Sequence, residues 1–292
     1  MRKPRKLLTT IWCGKHRAFV GLVTFFSLPL LAESYPQIQY QTQPLKYNDY
    51  EIARSAKSGA DAWTITIKKQ GKVVERFKIG AILEGYSDNW AKFGLFNFLG
   101  GSKNQLIVEG YSGGAHCCSE YRIIDLFPGY RSLYDSEDWN VGYDLSPIDL
   151  DNDGVFEFTQ SIMTFDYFYV SHAGSVFPTA IFKYDGRVGK YLPANRLFSG
   201  SVLKDIQKDL SAFQAVSRQL EHTAADKLLI HEDYVSAFLK VFLSQVYTGQ
   251  ESKAWLFFEA SYKLSDKQKF RADLRKQLRG CSIYRYIYRP KR

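Results

Sequence analysis

The hydrophobic period changes once along this chain, near Ser199-Gly200, and that single change limits what it can fold into. Before it, apolar residues recur every second position, as in half-buried strands. Trp63-Thr64-Ile65-Thr66-Ile67-Lys68 alternates, Gln70-Gly71 supplies a turn, and Val73 to Ile79 alternates back, which predicts a hairpin. Gln105 to Glu109, Tyr121 to Leu126 and Phe156 to Met163 read as further strands, and Ala180 to Tyr184 followed by Asp185-Gly186 as entry to another hairpin. After Ser199-Gly200 the period becomes about 3.6. Leu203, Ile206, Leu210, Phe213 and Leu220 fall on one helical face, and Val235, Phe238, Leu239, Phe242 and Val246 on a second. Trp255, Phe258 and Tyr262 mark a third helix. Ser265 and Gln268 form a capping-box signature for a fourth that carries Phe270, Leu274 and Leu278 and stops at Gly280. Strands followed by helices define an α+β chain. The expected fold is an antiparallel β domain, propeller-like or a sandwich, over residues 33–198, and an all-α domain of helical hairpins over 199–292. The final Ile283 to Arg289 alternates, which predicts a strand at the edge of the β domain in preference to a basic-aromatic contact with an anionic polymer or lipid headgroups.

Residues 1–32 read as a secretory signal. Arg2, Lys3, Arg5, Lys6, Lys15 and Arg17 form a basic start, Ala18 to Leu31 is apolar, and Ala32 offers a small residue before Glu33. The apolar run is shorter than the roughly 18–20 residues of a membrane span, which favours cleavage, with no span afterwards, over an uncleaved anchor. Of the formal net charge of +9, six units come from these basic residues, which no acid offsets; +3 remains for the rest. That surplus argues against a nucleic-acid partner. The implied location is periplasmic or secreted.

Asp149-Leu150-Asp151-Asn152-Asp153-Gly154-Val155-Phe156-Glu157 is the stretch richest in chemistry. A hard cation such as Ca²⁺ takes six to eight oxygens, and carboxylates at loop positions 1, 3 and 5 supply several, with Gly at position 6 making the sharp turn. The ligand set is Asp149, Asp151 and Asp153, the Val155 carbonyl, and Glu157 directly or through water. Position 12, where an EF-hand carries Glu, is Gln160, and a β-rich segment follows, so the loop leads into a strand. An acidic turn on a solvated edge is the plainer alternative.

At these residues the chain resembles the calcium-loop repeats of the FG-GAP and VCBS type, whose pattern is D-x-D-x-D-G-x-x-[DE]. The resemblance is local and implies a β-propeller-like unit with bound Ca²⁺. Phe96 to Leu106 can be laid over Ile148 to Phe158 without a gap, placing Asn97 on Asp149 and Gln105 on Glu157, as in two copies of one unit of which the first has lost its carboxylates.

Gly110-Tyr111-Ser112-Gly113-Gly114-Ala115-His116-Cys117-Cys118 supports three readings. Cys117 and Cys118 form a vicinal disulfide, or one of them pairs with Cys281 and staples the helices to the sheets. His116 with the two sulfurs makes a soft metal or thiol site. Or Gly110 to Gly114, which fits G-x-S-x-G, is a nucleophile elbow around Ser112, with His172 as base and Asp166 as its orienter. An elbow requires a helix next, whereas Tyr121 to Leu126 reads as a strand. The sequence therefore favours an exported, non-enzymatic calcium-binding protein that engages an envelope or extracellular polysaccharide or protein. A hydrolase using Ser112, or a site at His116, Cys117 and Cys118, is the alternative.

Overall fold

The structure, a computed structural model, describes residues 36–56, 60–82, 90–113, 119–222 and 227–289. The expected secretory segment lies outside them.

Thirteen strands form three antiparallel sheets among the described residues. The first is an up-and-down run of β2 (Leu45–Tyr47), β3 (Tyr50–Ser55), β4 (Ala62–Lys69) and β5 (Lys72–Ala81). The expected hairpin is β4 and β5, and its two linking residues, Gln70 and Gly71, have φ of 48° and 77°. A two-residue link with both φ values positive matches the right-handed strand twist. The second sheet orders β6 (Ala91–Phe96), β7 (Gln105–Tyr111), β8 (Ser119–Asp125) and β9 (Arg131–Asp135), with β1 (Tyr40–Gln41) added beside β6. The third repeats the plan with β10 (Val141–Ile148), β11 (Glu157–Ile162), β12 (Thr179–Asp185) and β13 (Lys190–Pro193). The sheets do not close into a barrel.

The middle sheet is covered on both faces, which explains the unbroken apolar run Leu106-Ile107-Val108. Leu106, Val108 and Ile124 join Ile52, Ile65, Ile67 and Phe77 of the first sheet in one buried cluster. Ile107, Tyr121, Ile123 and Tyr134 point the other way, into a larger cluster with Phe158, Phe182 and Tyr191 of the third sheet. That cluster continues into the helices through Phe238, Phe242, Phe258 and Phe270. The middle and third sheets thus share one apolar interior with the helices, and the first sheet packs in a separate cluster on the other face of the middle sheet.

The helical part comprises α1 (Ser199–Val202), α2 (Ile206–His222), α3 (Lys227–Tyr247), α4 (Glu251–Ser261), α5 (Lys267–Gly280) and α6 (Ser282–Ile287). Two local expectations are corrected. The N-cap of α5 is Asp266, without a side-chain cap bond, in place of Ser265. The terminal segment is a helix instead of a strand. Ile283 and Ile287, four apart, are both buried, the Tyr284 and Tyr288 rings meet tilted at 4.8 Å, and Tyr288 donates to the Val246 carbonyl at 2.6 Å. A short run with apolar residues four apart satisfies both periods, and here burial against the helical core selects the helix.

Cys281 ends α5 as a buried free thiol that accepts from the Tyr247 hydroxyl at 3.3 Å, rather than as one end of a staple.

Candidate functional site

Ile148 ends β10 and Glu157 opens β11, so the acidic stretch is the connection between two paired strands, as the sequence predicts. Its tight path needs left-handed backbone at Asn152 (φ 57°) and Gly154 (φ 80°), residue types that tolerate that region. The loop also ties itself together. Asp149 accepts from the Asp153 and Gly154 amides, both at 3.1 Å, and Asp153 accepts from the Val155 amide at 2.8 Å. Glu157, fully buried, accepts from the Leu150 amide at 2.9 Å. One carboxylate oxygen from each of Asp149, Asp151 and Asp153 lies within 4.8 Å of the others. The three aspartates thus converge on one loop, whereas Glu157, at the head of β11, stands outside that group.

A residue the sequence did not flag completes the arrangement. Lys183, on β12, places Nζ 2.6 Å from Glu157 Oε1, 2.9 Å from Asp153 Oδ2 and 3.0 Å from Asp151 Oδ2. Register supplies it: Phe158 pairs with Phe182, so Lys183 stands beside Glu157 on the neighbouring strand. Desolvation works against its charge, but hydrogen bonds to Glu157, Asp153 and Asp151 outweigh it and hold the ammonium above the ordinary lysine range. The same contact, with the Val155 amide, lowers the Asp153 carboxyl. Burial raises Glu157, opposed by its bonds to Lys183 and Leu150. Three carboxylates, of Asp151, Asp153 and Glu157, meet this one ammonium, while both oxygens of Asp149 accept backbone amides of the loop.

The connection between β6 and β7 has a similar frame. Phe96 ends β6 and Gln105 opens β7, and Gln105 accepts from the Leu99 amide at 3.1 Å, much as Glu157 does from Leu150. The two loops touch. The Phe156 amide donates to the Phe98 carbonyl at 2.8 Å, and Tyr191 donates to the carbonyls of Phe98 and Phe156 at 3.3 and 3.0 Å. The β6–β7 connection thus packs against the acidic loop.

Ser112 follows β7, and Tyr111 pairs with Ser119 at the start of antiparallel β8. Among the described residues the serine therefore lies between two paired strands, not between a strand and a helix as in a nucleophile elbow. His116, Cys117 and Cys118 lie outside the described residues. His172 and Asp166, nominated as base and orienter, do meet: Nδ1 of the imidazole is 2.7 Å from Asp166 Oδ1, and Nε2 is 3.4 Å from the Tyr143 hydroxyl.

No helix among the described residues is long and apolar enough to cross a membrane. No family model matches the chain. No solved structure matches it. It is similar to a probable thylakoid lumen protein of Synechocystis sp., with 27% identity over 194 residues that cover 60% of this chain and 53% of the relative. The chain thus spans about half the length of that relative.

Proposed function

We propose that this chain is an exported, non-enzymatic binding module in which a Ca²⁺ ion braces the Asp149–Glu157 loop, with an envelope or extracellular polysaccharide or protein as its partner. The observation that carries the reading is the convergence of Asp149, Asp151 and Asp153 on a loop turned through Asn152 and Gly154. Convergent oxygens on a tight glycine-turned loop suit a hard cation. The local resemblance to FG-GAP and VCBS loops supports the same assignment. Export to a periplasmic or external compartment is supported by the basic and apolar N-terminal segment and by the lumenal name of the Synechocystis relative. Lys183 fits as the occupant of the metal-free loop: its ammonium neutralises one charge, and Ca²⁺ displaces it to neutralise two.

Calorimetric titration of EGTA-stripped protein with CaCl₂ tests this directly. A single site with affinity of about 10⁻⁴–10⁻³ M, typical of extracellular modules, is expected. Asp151→Ala abolishes it. Absence of calcium binding at millimolar concentration, or an undiminished site in Asp151→Ala, contradicts the assignment.

A further inference from the structure

The first sheet carries the chain's surplus of positive charge. Residues 45–81 hold eight basic and four acidic residues, a surplus of +4, whereas the whole chain after residue 32 carries +3. Strand alternation sorts these charges by face. Ile52, Ile65, Ile67 and Phe77 fill the buried cluster beneath the sheet. Their neighbours along each strand therefore point the other way: Glu51 and Ala53 on β3, Thr66 and Lys68 on β4, Arg76 and Lys78 on β5. Glu51, Lys68, Arg76 and Lys78 are exposed there.

Register builds a groove on that outer face. Lys46 stands across from Glu51 and Glu51 from Lys68; two residues further along, Ala53 stands across from Thr66 and Thr66 from Arg76. Long basic side chains form its walls, and the short Ala53, Ser55 and Thr66 leave open a space of about 320 Å³ between them. That lies at the lower end of the roughly 300–1,000 Å³ of ligand clefts. The charges in it are unbalanced. Among the described residues lining it, Glu51 is the one acid, and it meets Lys46 at 3.4 Å. Arg76 donates from Nε to the Thr66 hydroxyl at 3.4 Å, a neutral partner that leaves its charge uncompensated. Three cations against one carboxylate give the groove a net charge of +2.

We infer that this groove binds a carboxylate-bearing polysaccharide, a polyuronate chain lying across β3 to β5. The inference deepens the proposed function and rests on its reading as an exported binding module. Charge complementarity selects an anion, and successive carboxylates of one polymer meet Lys68 and Arg76 together. The guanidinium offers paired donors that match a carboxylate, and the ammonium acts as a point charge. The hydroxyls of Ser55 and Thr66, at the same groove, suit the hydroxyls of a sugar. Shape selects a single extended chain, because a bilayer presents a flat surface that does not enter a groove. Each exposed ionic contact is weak and screened by salt, so affinity comes from several acting at once.

The test is isothermal titration of the full chain with hexagalacturonate at low salt in EGTA, so that neither the acidic loop nor calcium bridging of the sugar contributes. Maltohexaose, a hexaglutamate peptide and phosphatidylglycerol vesicles are the comparison ligands. Hexagalacturonate should bind saturably, about tenfold or more tightly than each of these, and more weakly as salt is added. Lys68→Gln combined with Arg76→Gln should weaken it about tenfold or more and leave the melting temperature unchanged. Lys240→Gln combined with Lys253→Gln removes two exposed charges from α3 and α4 instead, and should leave binding as it is. The inference is overturned if hexagalacturonate does not bind at millimolar concentration, if any comparison ligand binds as tightly, or if the two double variants behave alike. The melting-temperature response to calcium is read separately, so a loop without calcium and a groove without uronate are distinct failures.

Discussion

Lys183 places its ammonium 2.6 Å from the fully buried carboxylate of Glu157, so the acidic loop carries a cation supplied by the neighbouring strand. Under the proposed calcium assignment, Lys183 and the ion compete for the same carboxylates of Asp151, Asp153 and Glu157.

Lys183→Met separates those effects. Without calcium the variant leaves buried Glu157 without its cation, and removing one partner of a buried pair costs about 3 kcal/mol. With calcium the ion meets no competitor. Urea melts in EGTA should therefore show the variant less stable than the wild type, while calorimetry shows it binding Ca²⁺ more tightly. Unchanged affinity would mean that Lys183 and the ion do not compete.

Gly100 bears on the same loop from the connection between β6 and β7. Its φ is 71°, and an added Cβ would stand 2.7 Å from the Gly154 carbonyl. Gly101, at φ 73°, has nothing within 4 Å of such a Cβ. Gly101→Ala should cost only the left-handed backbone, about 1–3 kcal/mol. Gly100→Ala should cost more and weaken calcium binding, because the displaced atom belongs to the loop's turn. Equal melting temperatures for the two variants would remove the buttressing role.

The anchoring of the connection from β11 to β12, residues 163–178, on α5 should respond to acid. Asp273 has its carboxyl lowered by hydrogen bonds from Lys269 and Tyr169. A folded value below the unfolded one gives stability that is complete above the ordinary carboxyl range and lost as pH falls through the folded value. The melting-temperature gap between wild type and Asp273→Asn should be full at neutral pH and close below about pH 4. A gap that persists at about pH 2 would assign the effect to something other than this carboxylate.

Much of the frame was legible because burial enforces a period. Trp63 to Ile79 shows a hairpin since alternation on one face and a turn at Gln70-Gly71 agree, and Phe238, Leu239, Phe242 and Val246 mark a helix because one stripe must face the core. The acidic loop was legible for a different reason: its residue types serve a turn and a cation at fixed offsets. Strands β1 and β2 escaped notice, because Tyr40–Gln41 and Leu45–Tyr47 are too short to show a period and are held by their neighbours. Lys183 was invisible for want of register, as it becomes a partner of Glu157 only once β11 and β12 are aligned. The paired His172 and Asp166 stood out only as titratable residues six apart, and their meeting depends on the turn between them.

The central claim is that calcium binds the folded loop, and the most direct measurement is the melting temperature of the full chain in excess Ca²⁺ and in EGTA, with Asp151→Ala alongside. An ion that binds only the folded state adds about 2.7 kcal/mol at one hundred times its dissociation constant. For a chain of this size that predicts a rise of several degrees in the wild type and none in the variant. Identical melting temperatures of the wild type in millimolar Ca²⁺ and in EGTA would contradict the account and leave Lys183 as the loop's own cation.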